Sequence, residues 1–208
     1  MKQLTNKSII TSLRPYGVEA SALLCDQIRS YVDLLLRWNI KTSLTAVTDP
    51  AEIIRFHFGE SLLAVTTVPI RHGRLADVGS GAGFPAVPIR MVSNDMSVIL
   101  IESNQKKATF LAEVVRELQL QGVEVRRCRM EDVRFDDETV DFVTARAVRI
   151  NEVFLNWSRG SLNPSGSVVL WLGEEDASRV SRNTGWRWND LIQIPQSERR
   201  MILRGTKI

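Results

Sequence analysis

The sequence predicts an α/β fold in which helices cover both faces of a mostly parallel sheet. The first observation is an alternation of short apolar runs with amphipathic segments from Arg74 onward. The second is a glycine-rich turn, LADVGSGAGFPAVP over residues 75–88, directly after the first of those runs. The third is an acid, Glu102, at the end of the next run. A helical extension over residues 1–72 is expected to precede and pack on a core over residues 73–208.

The N-terminal extension is predicted to contain only helices. Apolar residues recur at helical spacing from Leu24 to Leu36, in a segment that ends near Trp38, and a shorter helix is expected before it. Asp49 followed by Pro50 is a strong signal for the start of a further helix, which apolar residues then continue. The broad apolar stripes of these helices need a partner surface.

The core segment is predicted to contain seven strands connected mostly by helices. The strands are expected at 75–79, 97–102, 122–128, 140–146, 167–172, 187–194 and 200–206. An amphipathic crossover helix is expected over 104–119, and another helix over roughly 150–160. Because no helix separates the last two strands, they should form an antiparallel hairpin at the sheet edge.

The glycine-rich turn is the strongest indication of a ligand site. Gly79, Gly81 and Gly83 occupy every second position after a buried strand, so the chain can turn sharply and bring bare backbone close to a ligand. Pro85 and Pro88 suit the first turn of a following helix, whose free N–H groups attract anionic groups. The alternative, a flexible loop of small residues, is weaker because a strand and a helix flank the turn.

Glu102 follows the glycines by about 20 residues, where a doubly wound fold places an acid that receives ribose hydroxyls. A carboxylate accepts both hydrogen bonds that a diol donates. Alternatively, Glu102 caps the helix that starts near Asn104, and both roles can hold at once. Together the turn and the acid predict a nucleotide-type cofactor site.

Composition excludes few classes of function. With 208 residues, 44% hydrophobic and 25% charged, the chain resembles an ordinary globular protein. No apolar run approaches the roughly 20 residues of a membrane span, and the first residues lack the apolar core of a signal peptide, so a cytoplasmic location without membrane association is expected. The net charge of +3 permits a polyanionic partner such as RNA without requiring one.

Cysteine and histidine are too sparse to indicate metal or thiol chemistry. Cys25 and Cys128 fall in a predicted helix and a predicted strand, where they are most simply small buried apolar residues. His57 and His72 are the only histidines, and no cluster has metal-ligand spacing. The sequence therefore predicts no metal site, no disulfide and no thiolate nucleophile.

Several collinear motifs resemble one family over nearly the whole chain. They are LLRWNIKTSLTAVTDPAEIIRFHFGESL, LADVGSGAGFPAVPIR, LIESNQKKATFL, RCRMEDV and FVTARAV. The chain thus resembles the RsmG (GidB) family, S-adenosylmethionine-dependent methyltransferases that act on small-subunit ribosomal RNA. The resemblance implies a class I, Rossmann-like methyltransferase fold with a seven-stranded sheet. It also implies methyl transfer to N7 of a guanine in 16S ribosomal RNA, with this RNA or the small ribosomal subunit as the substrate. The protein is expected to be a monomer.

The resemblance assigns roles to residues that the fold should bring to one crevice. The first cofactor motif is matched by Asp77, Gly79, Gly81, Gly83 and Phe84. Glu102 matches the ribose-binding acid, Met130 and Glu131 match the pair beside the adenine, and Arg146 falls on an arginine after the fourth strand. Arg146 is a candidate for positioning, facing the methionine carboxylate, an RNA phosphate or the target guanine. An exposed ion pair is its alternative, and no general acid or base is needed.

Contacts with RNA are harder to assign. His57 is either a core histidine or part of an RNA-facing rim, and Lys106 and Lys107 are candidates for phosphate contacts. Arg126, Arg127 and Arg129 are further candidates, although solvated surfaces explain all these cations almost as well. A second set interleaves cations and aromatic rings, for which core tryptophans are the favoured interpretation: Arg179, Arg182, Trp186, Arg187 and Trp188.

Two departures from the family pattern leave other functions open. Ser43 stands where the family usually has asparagine, and Leu172 where it has lysine. These departures motivate a cofactor-binding, RNA-binding protein without turnover. A nicotinamide-dependent oxidoreductase is a further alternative, but the dinucleotide fingerprint places its third glycine one residue later than G-x-G-x-G does.

Overall fold

The computed structural model describes residues 4–135 and 139–208, and within them the chain forms one eight-stranded sheet. The strands are β1 (Gly73–Val78), β2 (Met96–Ile101), β3 (Val123–Arg126), β4 (Val140–Arg146), β5 (Leu162–Gly173), β6 (Trp186–Trp188), β7 (Ile192–Gln193) and β8 (Arg200–Lys207). The helices are α1 (Asn6–Leu13), α2 (Ala22–Thr42), α3 (Pro50–Ile53), α4 (Glu60–Thr67), α5 (Ala86–Val92), α6 (Gln105–Glu117), α7 (Glu152–Ser161) and α8 (Glu174–Val180). A π-helical turn, Ile54–Gly59, joins α3 to α4.

The sheet has the predicted mostly parallel topology. Its order is β3-β2-β1-β4-β5-β8-β6, and β7 pairs with β8 beside this path. Strands β1 to β5 are parallel, whereas β8 runs antiparallel to β5, β6 and β7. The strand order reverses between β1 and β4, and ligands of open α/β sheets bind in the crevice at such a reversal.

The last part of the sheet differs from the sequence prediction. The predicted strand over 187–194 is divided into β6 and β7, so there are eight strands rather than seven. Asn189 and Asp190, residue types that strands disfavour, lie in the interruption, where the Asn189 N–H donates to the Arg204 carbonyl at 2.9 Å. The predicted antiparallel pairing is confirmed, but β8 lies between β5 and β6, and β6 forms the edge.

Alternate residues of the buried strands enter two separate cores. Leu75 of β1 and Val169 of β5 pack in the core that contains the N-terminal helices, α5 and α6. Ala76 and Leu170, their neighbours along the chain, pack in the core that contains α7 and α8. Each strand is therefore covered on both faces, which explains the nearly continuous apolar runs in the sequence.

The helices of the extension begin where the sequence predicts. The Asp49 carboxylate accepts the backbone N–H groups of Ala51 and Glu52, both at 3.0 Å, and so caps α3. The long helix α2 continues to Thr42, beyond its expected end near Trp38. It stops at Ser43, whose φ of 48° lies in the left-handed region.

Both cysteines are free. Cys25 is buried in α2, as predicted. Cys128 is only half-buried and follows β3, because that strand ends at Arg126 rather than at residue 128. Cys25 is therefore a fully buried core residue, whereas Cys128 is only partly buried.

The helical extension is fastened to the glycine-rich turn by one tyrosine. The Tyr31 hydroxyl donates to the Ala82 carbonyl at 2.5 Å, and its ring stacks on Phe84 with centroids 5.2 Å apart. Tyr31 is fully buried, so both contacts are shielded from water. A Cβ atom at Gly83 would collide with this hydroxyl and approach Val87 to 2.9 Å. Gly83 is thus required for the extension to pack on the turn.

We expect Gly83→Ala to lower the free energy of unfolding by about 2–4 kcal/mol, because the new Cβ meets Tyr31 and the φ of +86° is strained for alanine. The matched control is Gly160→Ala in α7, where no atom lies within 4 Å of the new Cβ and helix propensity improves by about 1 kcal/mol. Urea unfolding of both variants checks this expectation. Equal stability of the two variants would contradict the assigned packing.

Candidate functional site

The carboxyl ends of β1, β2 and β4 meet at the reversal of strand order. The turn after β1 has positive φ angles at Gly79, Gly81 and Gly83 of 67°, 57° and 86°. These three positions lie in the left-handed region that only glycine enters without cost. The turn is held against β2, because the N–H groups of Gly79 and Ser80 both donate to the Ile101 carbonyl, at 2.9 and 3.1 Å.

Glu102 connects the turn to the start of α6. One oxygen, Oε2, accepts the Gly81 N–H at 2.9 Å, and the other, Oε1, accepts the Asn104 N–H at 2.8 Å. The carboxylate is 7% exposed. Because each carboxylate oxygen has two lone pairs, Glu102 retains acceptor capacity for a ligand. Asn104, rather than Glu102, caps α6 with its side chain, accepting from Lys106 at 2.9 Å.

A cavity of about 340 Å³ opens beside the turn. Its lining includes Gly79, Ile101, Met130, Glu131 and Val148. Met130 and Glu131 belong to a short 3₁₀ turn after β3, and both therefore lie at the same crevice as the glycines. A cleft of this size, lined by both apolar and polar side chains, suits a small planar ligand with a polar appendage.

Asp77 lies behind the glycine-rich turn instead of lining the cavity. Its Oδ1 accepts the Thr144 hydroxyl at 2.7 Å, and its Oδ2 has no hydrogen-bond partner among the described residues. The side chain is 1% exposed. Burial raises the pKa of Asp77 to about 7, although the hydrogen bond from Thr144 opposes the rise.

Phe84 packs into an aromatic cluster beneath the extension. Its ring stacks on Tyr31 and on His57, with centroids 5.2 and 4.8 Å apart, and meets Phe58 edge-on at 5.2 Å. Phe84 is 8% exposed and does not line the 340 Å³ cavity. We therefore assign to it the packing of the extension on the turn.

His57 is a half-buried, neutral histidine. Arg146 can only donate, so His57 Nδ1 accepts from its Nη2 at 3.3 Å, and Nε2 then donates to the Thr45 hydroxyl at 2.8 Å. Burial, with the charge of Arg146 second, lowers the pKa of His57 to about 3. Both ring nitrogens are occupied, and the core interpretation of His57 fits this geometry better than the rim.

Two arginines converge on one buried acid next to the site. Glu60, at the start of α4, is 1% exposed and lies between Arg146 at 3.3 Å and Arg200 at 2.7 Å. Burial raises the pKa of Glu60, and the two guanidiniums oppose the rise. The Trp171 indole N–H fixes the backbone of Glu60 by donating to its carbonyl at 2.8 Å. The arrangement holds two cations in place from a helix of the extension.

A second cavity of about 200 Å³ lies at this cluster, lined in part by Glu60, Arg146 and Arg200. Arg146 Nη1 is buried without a hydrogen-bond partner among the described residues. Leu172 also lines this cavity, and Arg200 lies opposite Gly173 across the β5–β8 pair. The cavity therefore contains two cations although position 172 contributes none.

The remaining predicted residues are distributed as follows. Ser43 is exposed at the left-handed end of α2, where asparagine is also tolerated, so its departure from the family concerns the helix end. Lys106 and Lys107 lie in the first turn of α6. Among the other arginines, Arg127 and Arg129 are exposed, and Arg126 pairs with Glu124 at 2.7 Å.

The alternation of cations and rings near the C-terminus is mainly structural. Trp186 is 3% exposed in the core, and the Trp188 indole N–H donates to the Asn183 carbonyl at 2.9 Å. Arg179 pairs with Asp176 at 2.7 Å. Arg182 and Arg187 are exposed.

Glu60, Arg200 and Tyr31 were not predicted as site residues. Tyr31 was grouped with the apolar stripe of α2, and its hydroxyl carries no periodic signal. Glu60 lies three residues after His57. It is 140 positions from Arg200 in the sequence, so only the tertiary fold brings Glu60 and Arg200 together. An acidic residue among the apolar residues of α4 was the one sequence feature that could have indicated a role for Glu60.

Within residues 4–135 and 139–208, no group of three or more His, Cys, Asp or Glu side chains is arranged to hold a metal ion. None of the helices in this part of the chain is both long enough and apolar enough to cross a membrane.

We expect Asp77→Asn to change how stability depends on pH. The native pKa of about 7 exceeds the ordinary 3.8, so wild-type stability falls as pH rises between these values and is lowest above pH 7. The amide keeps an acceptor for Thr144 and removes the buried charge, so above pH 7 the variant should be more stable, by at most about 4 kcal/mol at 1.36 kcal/mol per pKa unit.

Urea unfolding between pH 4 and 8, without cofactor, measures this difference. The exposed Asp95→Asn is the matched control and should follow the wild type. A variant profile parallel to that of the wild type would show that Asp77 does not titrate as assigned.

Comparison with known proteins places the chain in a family. The family model "rRNA small subunit methyltransferase G" (GidB) matches residues 24–186. A ribosomal RNA small subunit methyltransferase G from Halorhodospira halophila is 38% identical over 171 residues, which cover 82% of this chain and 80% of that protein. The corresponding protein from Syntrophotalea carbinolica is 36% identical over 169 residues, 79% of this chain and 76% of that one.

Among solved structures, a SAM-dependent methyltransferase from Aquifex aeolicus superposes with a TM-score of 0.63 at 16% identity, covering 77% of this chain and 99% of that chain. This likeness extends to the fold, which is the class I, Rossmann-like fold of methyltransferases. The family match covers most of the sequence, including the glycine-rich turn, Glu102 and Arg146. The chain therefore belongs to the GidB family of rRNA small subunit methyltransferases G.

Proposed function

We propose that this protein transfers a methyl group from S-adenosylmethionine to N7 of a guanine in small-subunit (16S) ribosomal RNA. The observation that carries the proposal is that the glycine-rich turn, bonded to Glu102, adjoins the 340 Å³ cavity at the reversal of strand order, in a chain of this family. Ile101 and Ser103, the neighbours of Glu102 along the chain, line that cavity. We also propose that residues 1–72 form an extension of a core over residues 73–208, and that the protein acts as a cytoplasmic monomer.

The residues at the cavity fit an adenosyl group. Ile101, Met130 and Val148 offer apolar surface to a purine, and Glu131 offers an acceptor for its amino group. Glu102 offers its remaining lone pairs to the ribose hydroxyls, while its bonds to Gly81 and Asn104 fix its orientation. These contacts would orient the nucleoside part of the cofactor.

The turn leaves room for the methionine part. A Cβ at Gly81 would meet no atom closer than the Gly79 carbonyl at 3.7 Å, so the peptide backbone there faces open space. By contrast, a Cβ at Gly79 would lie 2.7 Å from Val148. We assign Gly81 to close approach of the cofactor, and Gly79 and Gly83 to packing of the turn.

The chemistry requires positioning more than proton transfer. When bound, S-adenosylmethionine supplies an electrophilic methyl carbon on a positively charged sulfur. Guanine N7 carries an exposed lone pair, which forms the new N–C bond as the electron pair of the S–C bond returns to sulfur, so no proton moves. Accordingly, His57 is held neutral with both nitrogens occupied. Holding the reactants in line can lower the barrier by about 7–11 kcal/mol in favourable cases.

We place the target base at the 200 Å³ cavity. The turn after β4 separates the two cavities, because Arg146 and Ala147 line this one and Val148 lines the other. Arg146 Nη1 is buried and offers its N–H groups to an acceptor such as guanine O6. Glu60 fixes Arg146 and balances its charge. This arrangement would orient the base while leaving N7 unprotonated.

The alternatives fit the observations less well. A nicotinamide-dependent oxidoreductase conflicts with the family and with the glycine spacing. A cofactor-binding protein without turnover was motivated by Ser43 and Leu172, but Ser43 ends a helix and the cavity beside Leu172 contains Arg146 and Arg200. Neither departure removes a contact that the proposed reaction needs.

We expect Gly81→Val to reduce affinity for S-adenosylhomocysteine at least 100-fold, because its side chain occupies the open space at the turn. Glu102→Ala should weaken binding by about 10- to 100-fold, through loss of hydrogen bonds made by a charged group. Isothermal titration calorimetry measures both affinities. The helical Gly160→Ala serves as the control for substitution of a glycine away from the site, and unchanged affinity in Gly81→Val would contradict the assigned turn.

Methyl transfer itself is tested with tritiated S-adenosylmethionine and small subunits, or their RNA, from a strain that lacks the endogenous enzyme. We expect label in 16S RNA and, on nuclease digestion and mass spectrometry, in 7-methylguanosine. Label in another base would refute N7 of guanine, and no label in either substrate would refute the proposed function.

A further inference from the structure

An open groove separates the C-terminal half of α2 from the first half of α6. Its volume is about 610 Å³. Arg37, Trp38 and Lys41 line it from α2, and Lys106 and Glu113 line it from α6. We call it the α2–α6 groove. It is separate from the two cavities described above and has no part in the proposed cofactor contacts.

The floor of the groove is a fixed aromatic ring. The Trp38 indole N–H donates to Glu113 Oε2 at 3.1 Å, and the ring meets Phe110 edge-on, with centroids 5.7 Å apart. The polar atom of the indole is therefore satisfied within the protein, and the half-buried ring presents apolar surface. A preordered aromatic surface of this kind suits stacking with a planar group.

The rim of the groove is positively charged. Arg37, Lys41 and Lys106 are all exposed, and none of them forms an ion pair within residues 4–135 and 139–208. Glu113, the acid that lines the groove, accepts the hydrogen bond from Trp38. A ligand in the groove therefore meets an aromatic surface flanked by three exposed cations and one carboxylate, so the cations outnumber the acid. This combination of stacking and charge suits a nucleotide, which is planar and anionic.

The groove lies next to the proposed ribose site. Lys106 is in the first turn of α6, and Asn104, which caps this helix, donates its N–H to Glu102 at 2.8 Å. A strand of RNA that enters the active site past the start of α6 would reach Lys106 first. Because the groove lies beside the proposed active site, its ligand is expected to be part of the substrate RNA.

We propose that the α2–α6 groove binds an unpaired nucleotide of the substrate RNA, near the methylated guanine, with its base against Trp38. The flanking phosphates would contact Arg37, Lys41 and Lys106. This inference rests on the proposed function. RNA fits better than a protein helix, because a helix in a groove needs several apolar anchors at spacings of three and four residues. In this groove the charged lining residues outnumber the apolar ones, Leu34 and Trp38.

A direct measurement of RNA binding tests this inference independently of methyl transfer. The probe is fluorescently labelled small-subunit ribosomal RNA, titrated by anisotropy in the presence of S-adenosylhomocysteine at several salt concentrations. The groove variant is Arg37→Gln/Lys41→Gln/Lys106→Gln. The matched control is Lys7→Gln/Arg14→Gln/Arg116→Gln, three exposed cations outside the groove. Calorimetry verifies that both variants still bind S-adenosylhomocysteine.

We expect the groove variant to bind RNA at least tenfold more weakly than the wild type at 0.1 M salt. The slope of log K against log salt should decrease by about 2, since each phosphate contact with a single strand contributes about 0.7. The control variant should keep the affinity and the slope of the wild type within twofold. Equal losses in both variants would show only diffuse attraction and would overturn the proposal.

Trp38 tests the stacking separately from charge. Trp38→Leu should weaken RNA binding at least fivefold without changing the salt slope, whereas Trp38→Phe, which keeps a ring, should retain most of the affinity. Circular dichroism checks that both variants are folded. If both bind RNA as the wild type does, or both lose equal affinity, stacking on Trp38 is refuted.

Two other outcomes are distinguishable. If the groove variant methylates naked RNA normally but fails on intact small subunits, the groove contacts a protein component and the RNA assignment is wrong. If the wild type methylates RNA while the groove and Trp38 variants are indistinguishable from it, only this inference fails. Absence of methyl transfer by the wild type would instead refute the proposed function.

Discussion

The candidate site depends on the two hydrogen bonds that the Glu102 carboxylate accepts. Its two oxygens bind backbone N–H groups on opposite sides, at Gly81 in the turn after β1 and at Asn104 before α6. It thus ties together two neighbouring strand ends. Because the bonded partners are peptide groups, their positions are fixed by the backbone rather than by flexible side chains. A carboxylate held in this way can meet a ligand without the cost of ordering itself.

The helices before β1 contact the candidate site as well as covering the sheet. The Tyr31 hydroxyl holds the glycine-rich turn through its hydrogen bond to the Ala82 carbonyl, and the Phe84 ring stacks on the Tyr31 ring. Glu60 holds Arg146 at the end of β4, and His57 contacts the same arginine. Without these helices, the glycine-rich turn would lose its contacts with Tyr31, and Arg146 would lose its contacts with Glu60 and His57. The aromatic cluster therefore joins core packing to site geometry.

Sequence reasoning was most accurate where a pattern is local. The turn with Gly81, the strand before it and the cap at Asp49 follow from short-range backbone requirements, and the structure has them. It failed where tertiary contacts decide. The partition of the predicted strand 187–194 depends on pairing with β8. The contact between the Phe84 and Tyr31 rings also depends on the tertiary fold, and the place of Phe84 in a cofactor motif stays a prediction. The pairing of Glu60 with Arg200 joins distant segments and leaves no periodic trace.

The Glu60 cluster links the beginning and the end of the chain. The acid comes from α4, one cation from the middle of the sequence and the other from β8. If α4 were taken from a relative without an acid at this position, two guanidiniums would be left facing each other in a cramped, poorly hydrated space. Exchange of segments between relatives is therefore restricted to sets that keep the charges balanced, and these three positions should change together during divergence.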